Sequence, residues 1–397
     1  ETVGLGPTPM VYFAVKDRMA DAGIMVTGSH NPPSHNGFKL TLQSGPVFGE
    51  AVQEIGRIAA SGHFAESDTH AGKILEYDIL RTYVSRLLKD LTASRPLKIA
   101  WDSGNGSAGP VLRSLVQQLP GEHILLYDEV DGLFPAHHPD PTVDENLKDL
   151  QNVVINQGCH FGIAFDGDGD RIGVVDENGE IVRGDTLVAL YAREILADMP
   201  RAPIIGDVKC SQILFDEIEK YGGKPVICAT GHSLVKDKLN ELKAPLAGEL
   251  SGHIFFADKY YGFDDALYCS IRLINLLEEY EGGLSDLTKD IPVTVNTPEI
   301  RFEVDEAEKF EIIGGIIDYL KDKIDNEENA GWEVIDVDGI RLITPDGWLL
   351  IRASNTQNVL SMRIEGLSDT ALKELQSLIA GALQHVNIDP ETIFPTN

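Results

Sequence analysis

The chain has 397 residues, long enough for two to four domains at the usual ~100–200 residues each, with 43% hydrophobic and 24% charged residues. A formal net charge of −30 argues against nucleic acid and anionic membranes as partners. It also means that an anionic substrate needs a locally basic site. The chain has no run of ~18 apolar residues and no signal-peptide pattern. The four cysteines (159, 210, 228 and 269) are scattered without CxxC pairing, which suits free thiols in a reducing cytoplasm.

The first region, residues 1–78, begins without an initiator methionine, in what reads as the middle of a domain. An absent N-terminal segment is therefore expected. The pattern predicts a helix over 11–19, a short strand over 23–26 and a helix over 50–60. The strand runs into Thr27-Gly28-Ser29-His30-Asn31-Pro32-Pro33, where two prolines forbid its continuation. Ser29, flanked by Gly28 and His30, is placed as a nucleophile or a carrier of covalent phosphate, with Lys39 close enough to face the same space. The competing reading is a serine that caps a turn.

The second region, 79–180, predicts strands at 98–101 and 124–127, helices at 109–118 and 146–157, and a long irregular loop over 134–141. Strands alternating with helices argue for a mostly parallel sheet. Two buried strands flank Asp166-Gly167-Asp168-Gly169-Asp170-Arg171. Glycine lets this backbone bunch three carboxylates around one centre, and three close anions repel unless a cation lies among them. Oxygen-only ligands favour Mg²⁺ before Ca²⁺. Arg171 is left to meet an adjacent anion, most simply a phosphate. The competing reading is an EF-hand-like calcium loop. It gains from Glu177 at the twelfth position and loses from Arg171 at the sixth, where glycine belongs. His137 and His138 read as loop residues.

The third region, 181–295, predicts helices at 185–197, 211–221, 233–241 and 263–280, with strands at 203–208, 225–228 and 246–249. Thr230-Gly231-His232-Ser233 follows a strand and opens a helix, a natural anion site. In Gly248-Glu249-Leu250-Ser251-Gly252-His253, a carboxylate and a hydroxyl two residues apart share one face of an extended segment. That pair is suited to neighbouring sugar hydroxyls. A plain glycine-bounded hairpin is the alternative. Lys209 adds a positive charge. The fourth region, 296–397, reads as α+β: helix 306–322, strands 332–343, 347–353 and 359–365, and helix 369–386. Between its last two strands, Arg352-Ala353-Ser354-Asn355-Thr356-Gln357-Asn358 offers a phosphate cradle or a hydrogen-bonded turn.

Taken together and in order, the loops 27–32, 166–171, 248–253 and 352–356 resemble the four signature loops of the α-D-phosphohexomutase superfamily. Within it they are most similar to the bacterial phosphomannomutase/phosphoglucomutase branch. Similarity extends to segments 4–9, 207–210, 230–233 and 261–265. The resemblance implies three α/β mixed-sheet domains and a C-terminal α+β domain around a central cleft, each giving it one loop. It implies reversible transfer of phosphate between C1 and C6 of mannose and glucose phosphates, through a phosphoserine and a hexose 1,6-bisphosphate. Ser29 would carry the phosphate. Asp166, Asp168 and Asp170, with Ser29, would hold Mg²⁺, and Arg171 would offset charge. Glu249 and Ser251 would hold sugar hydroxyls. Arg352, Ser354, Asn355 and Thr356 would hold the non-reacting phosphate, with Lys209, Thr230, Gly231 and His232 nearby. His30, Lys39 and His253 would be candidates for proton transfer. Relatives are often monomers.

Two departures stand out. The family's opening strand, helix and an active-site arginine are absent, and Gln357-Asn358 follows the threonine where relatives often carry other residues. The competing functions are a phosphoglucosamine mutase and a non-catalytic phosphosugar-binding fragment. The apolar Leu250 between Glu249 and Ser251 resembles the mannose/glucose branch, since the glucosamine branch typically has a polar residue there.

Overall fold

The computed structural model describes residues 1–32, 34–64, 72–278, 280, 282–324, 331–354 and 358–394. Among the described residues, four separate sheets follow one another along the chain. In the first region, helix Thr8–Asp17 packs on strand Ala22–Val26, which pairs antiparallel with Phe38–Leu42, itself paired with Gly45–Pro46. The helix begins three residues earlier than the sequence pattern suggests because Pro7 precedes it, with its fixed φ and missing N–H. Helix Glu50–Ser61 has no buried residue. Its apolar stripe of Val52, Ile55 and Ile58 is 42–45% exposed, as are the sheet residues Ile24, Val26 and Phe38 at 55–73%.

The second sheet holds five strands. Gly121–Leu126, Leu97–Asp102 and Phe161–Phe165 run parallel, whereas Ile172–Asp176 and Ile181–Val182 continue antiparallel. The expected parallel order therefore holds up to the acidic loop and stops there. A six-residue connection is too short for a crossover and must be a hairpin. The third sheet likewise has parallel strands Lys224–Cys228, Pro203–Asp207 and Leu246–Gly248, then antiparallel Ile254–Phe256. The fourth is antiparallel and backed by helices Lys309–Ile324 and Asp369–His385. Here the single strand expected over 332–343 is two, Glu333–Ile335 and Ile340–Thr344. Gly339 at φ +76° turns the chain between them.

One apolar core runs through the first three regions. Phe13 meets Tyr83 at 5.4 Å between ring centres, and Tyr191 meets Phe256 at 4.9 Å. Each such side chain contributes roughly 1.5–3 kcal/mol when fully buried. This shared core holds the loops of the three regions in one frame. The fourth region has its own core around Ile316, Leu349, Met362 and Ile379. It joins the third through Val208, Trp348 and Leu350. Arg341 is fully buried at that joint. It donates to the carbonyls of Val208 and Cys210 at 2.7 Å each and stacks on Trp348 with its guanidinium 3.7 Å from the ring centre.

Candidate active site

Strands Ala22–Val26 and Phe38–Leu42 are paired with Val26 opposite Phe38, so the segment between them is a hairpin loop that projects Ser29. Ser29 takes a left-handed φ of +50°, costly for a residue with a Cβ and held by its N–H donating to Thr27 Oγ1 at 2.8 Å. The acidic loop is likewise a hairpin turn, with Phe165 opposite Ile172. Asp166 Oδ1 closes it by accepting the N–H groups of Asp170 and Arg171, both at 3.1 Å. The two loops touch. The Ser29 hydroxyl donates to Asp166 Oδ2 at 2.9 Å. A Cβ placed on Gly167 would lie 2.2 Å from the Ser29 carbonyl oxygen, so only glycine allows this approach.

Asp166, Asp168 and Asp170 are all buried, and each offers an oxygen within 4.8 Å of the others. Asp168 Oδ1 has no hydrogen-bond partner among the described residues. Asp170 Oδ1 lies 3.3 Å from His253 Nε2, in ion-pair range but outside hydrogen-bond geometry. Burial and the charge of Asp170 push Asp166 up to about 7. Burial also acts on Asp170, but Lys39 and His253 outweigh it and hold Asp170 well below the usual carboxylate range. Buried carboxyl oxygens without hydrogen bonds, crowded until one carboxyl resists ionisation, are what a hard cation with oxygen ligands relieves. The residues therefore fit a metal such as Mg²⁺.

Lys39 donates to Asp168 Oδ2 at 2.7 Å and to Asp170 Oδ2 at 2.5 Å. Burial favours its neutral form, but the two carboxylates outweigh burial and raise it well above its ordinary value. Arg171 Nε donates to Asp166 Oδ2 at 3.1 Å.

The candidate residues of loop 248–253 lie against one another and against Gly231. Ser251 Oγ donates to Glu249 Oε2 at 3.3 Å. Glu249 Oε1 accepts the Gly231 N–H at 2.7 Å, and Oε2 lies 2.8 Å from His253 Nδ1. Burial opposes the charge on His253, yet Asp170 and Glu249 raise it to about 10. His253 thus ties loop 248–253 to the acidic loop. Its ring stacks on His232 at 5.5 Å between centres, and His232 Nδ1 lies 3.2 Å from Asp264.

A cavity of about 660 Å³, within the usual size of small-ligand sites, is lined by Lys209, Thr230, Gly231, His232, Arg352 and Ser354. Val47, Phe48 and Val52 of the first region also line it. Arg352 is oriented by Asp338 at 2.8 Å, which also accepts the Thr230 N–H at 3.1 Å. Asn355 and Thr356 lie outside the described residues, as does Gln357.

Sequence reasoning missed several supporting groups. Thr8 donates to Asp168 Oδ2 at 2.5 Å, and its N–H donates to the Asp168 carbonyl at 2.7 Å. Lys236 pairs with Asp264 at 2.9 Å. His137, read as a loop residue, lies 2.9 Å from the fully buried Asp102. Asp140 faces both His30 and Arg171. The Asp264-Asp265 pair between aromatic and apolar residues was a usable signal. A single threonine or loop aspartate gave none.

Comparison with known proteins gives the same picture. Four family models match in succession. They are described as phosphoglucomutase/phosphomannomutase alpha/beta/alpha domain I at residues 2–66, domain II at 81–179, domain III at 183–295, and the C-terminal domain at 299–382. A phosphomannomutase/phosphoglucomutase of Pseudomonas syringae is 39% identical over 99% of this chain and 82% of its own length. A phosphomannomutase of Methanocaldococcus jannaschii is 34% identical over 94% of the chain and 82% of its own. The crystal structure of a phosphoglucomutase/phosphomannomutase family protein from Burkholderia thailandensis superposes with a TM-score of 0.89 at 40% identity. It covers 97% of this chain and 82% of that one. With four domain models matched in order and relatives this similar over nearly all of its length, the chain belongs to the phosphoglucomutase/phosphomannomutase family.

Proposed function

We propose that the protein moves a phosphoryl group reversibly between O1 and O6 of hexose phosphates, with mannose and glucose phosphates as substrates. The observation that carries this is the Ser29 hydroxyl, 2.9 Å from Asp166 in a buried all-carboxylate cluster that His253 links to Glu249. In the forward half, a hydroxyl of the bound sugar monophosphate attacks the phosphorus on Ser29. The P–O(Ser) bond breaks, the P–O(sugar) bond forms, the hydroxyl proton leaves to a base, and Ser29 regains a proton. The hexose 1,6-bisphosphate so formed then presents its other phosphate, and the same exchange in reverse rephosphorylates Ser29 and releases the isomer.

Mg²⁺, held by Asp166, Asp168, Asp170 and a phosphoryl oxygen on Ser29, would supply charge neutralisation at the transferring group. Lys39 and Arg171, paired with these carboxylates, would add positive charge from the protein side. Glu249 and Ser251 hold sugar hydroxyls. Mannose and glucose differ at the 2-hydroxyl, so a grip on the 3- and 4-hydroxyls accepts both. Lys209, Thr230, Gly231, His232, Arg352 and Ser354 line the space for the non-reacting phosphate, and Asn355 and Thr356 are assigned to the same role. His30, Lys39 and His253 are assigned as the candidates for proton transfer.

The same reading divides the chain at 78, 180 and 295, although strand Ile181–Val182 completes the second sheet and Val295 pairs into the fourth. It takes the protein as a cytoplasmic monomer whose four cysteines are free and buried. No described helix is long and apolar enough to cross a membrane. The test is Ser29→Ala. Turnover should fall to background while phosphosugar binding remains, and mass spectrometry of the parent after hexose bisphosphate should find phosphate on Ser29. Parent-like turnover by the variant would refute the phosphoserine assignment.

A further inference from the structure

The irregular loop over 134–141 plays no part in the reaction as written, yet it lies between the serine loop and the acidic loop. Pro139 packs on Gly104, and its Cγ stands 3.4 Å from where a Gly167 Cβ would be. Pro141 stands 2.6 Å from the equivalent point on Gly173. Asp140, between these prolines, has a side chain only 12% exposed. Its Oδ2 lies 3.1 Å from His30 Nδ1, and its Oδ1 accepts from Arg171 Nη1 at 3.3 Å. Oδ1 also accepts from the Thr142 N–H at 3.1 Å and the Thr142 hydroxyl at 2.7 Å. One carboxylate thus touches the residue after Ser29 and the residue after Asp170.

We infer that Asp140 is a positioning residue: it fixes His30 with Nδ1–H toward the carboxylate and the lone pair on Nε2, and it fixes Arg171 against Asp166. This rests on the proposed role of Ser29 as phosphate carrier. The reasoning is geometric. A carboxylate accepts and cannot donate, so the nitrogen facing it in neutral histidine carries the hydrogen and the other carries the lone pair. The same arrangement sets the tautomer of many metal-binding histidines. Burial raises the Asp140 carboxyl, but His30 and Arg171 outweigh it and hold Asp140 well below the usual carboxylate range, so Asp140 is an anion throughout the working pH range. Arg171 has Asp166 on one side and Asp140 on the other, so its guanidinium is held in one orientation beside Ser29.

The test is Asp140→Asn. Asparagine keeps one acceptor oxygen for the Thr142 turn, so the loop is retained. It cannot accept from His30 through its amide nitrogen. With ¹⁵N-labelled histidine at about pH 8.5, where a neutral ring reports its tautomer, the parent should show His30 with hydrogen on Nδ1. The variant should show it on Nε2. The kcat should fall about 10- to 100-fold, with KM within about threefold of the parent and an unchanged thermal midpoint. On a His30→Ala background the same change should cost about tenfold less, because its target is gone. Asp140→Ser, which keeps an oxygen for the turn, serves as a second variant with the same expectations.

An unchanged His30 tautomer, an unchanged kcat, or an equal loss on both backgrounds would overturn the inference. The tautomer is read without turnover, so a failure of the Ser29 assignment is recognised separately through Ser29→Ala.

Discussion

Gly167→Ala adds one methyl group at the point where the serine loop and the acidic loop meet. The backbone of Gly167 does not take a positive φ, so alanine itself is unstrained there. The cost is contact. The new Cβ would stand 2.2 Å from the Ser29 carbonyl oxygen and 2.8 Å from its carbon. Real Cβ contacts essentially never fall below 3.0 Å, so the loops must part by at least 0.8 Å, the difference between 3.0 and 2.2 Å. The acidic loop cannot retreat freely, because the Ser107 N–H and hydroxyl bind the Gly167 carbonyl at 2.9 and 3.2 Å. Ser29 therefore moves. A displacement of about 1 Å in a reacting group costs on the order of 10²-fold in rate, about 2.7 kcal/mol in activation free energy. Initial rates with glucose 1-phosphate at saturating Mg²⁺ should show that loss in kcat. The thermal midpoint should stay close to the parent's, since no core side chain changes. A kcat within about threefold of the parent would refute the claimed fit between the loops.

Gly56 lies in the exposed helix Glu50–Ser61 with nothing within 4 Å of an added Cβ. Gly56→Ala should stabilise that helix by about 0.5–1 kcal/mol, seen as slower amide exchange there and little change in global unfolding, because the helix buries no residue. Arg341→Ala removes two 2.7 Å donations to the carbonyls on either side of Lys209 and the stacking on Trp348. It should cost about 2–4 kcal/mol in urea unfolding and raise KM for the sugar phosphate, whereas a loss under about 0.5 kcal/mol would contradict the packing argument. Burial lowers His137, but Asp102 outweighs it and the group stays above its ordinary value of 6.5. The pair thus contributes stability fully below pH 6.5 and loses it as the pH rises through the raised value. His137→Gln should lie furthest below the parent in unfolding midpoint at acid pH, with the gap closing above neutrality.

Loops with strong local constraints were legible in the sequence. Asp166 to Arg171 could be read because alternating glycines and aspartates between two buried strands leave few alternatives. For Glu249 and Ser251 the spacing left a sugar grip and a plain glycine-bounded hairpin both open, and the resemblance of the four loops in order supplied the role. Helices with a clear apolar stripe, such as Gly184–Asp198 and Asp369–His385, fall within a residue or so of expectation. What the sequence hid depends on distant partners. The turn at Gly339 breaks a continuous β-like run, and only φ +76° reveals why. Nothing near Lys39 in the sequence shows the two carboxylates of another sheet that its ammonium meets. Thr8 and Asp140 have ordinary neighbours in sequence and acquire roles only through residues about 160 and 110 positions away.

The central claim is that Ser29 and the acidic loop move a phosphate between two positions of one sugar. Phosphorus NMR tests it directly. The chain would be given mannose 1-phosphate, glucose 1-phosphate or glucosamine 1-phosphate, with Mg²⁺ and a trace of hexose 1,6-bisphosphate. The account predicts that the 1-phosphate signals of mannose and glucose decay into 6-phosphate signals with no inorganic phosphate released. Preference for the glucosamine compound, or release of phosphate in place of isomerisation, would contradict it.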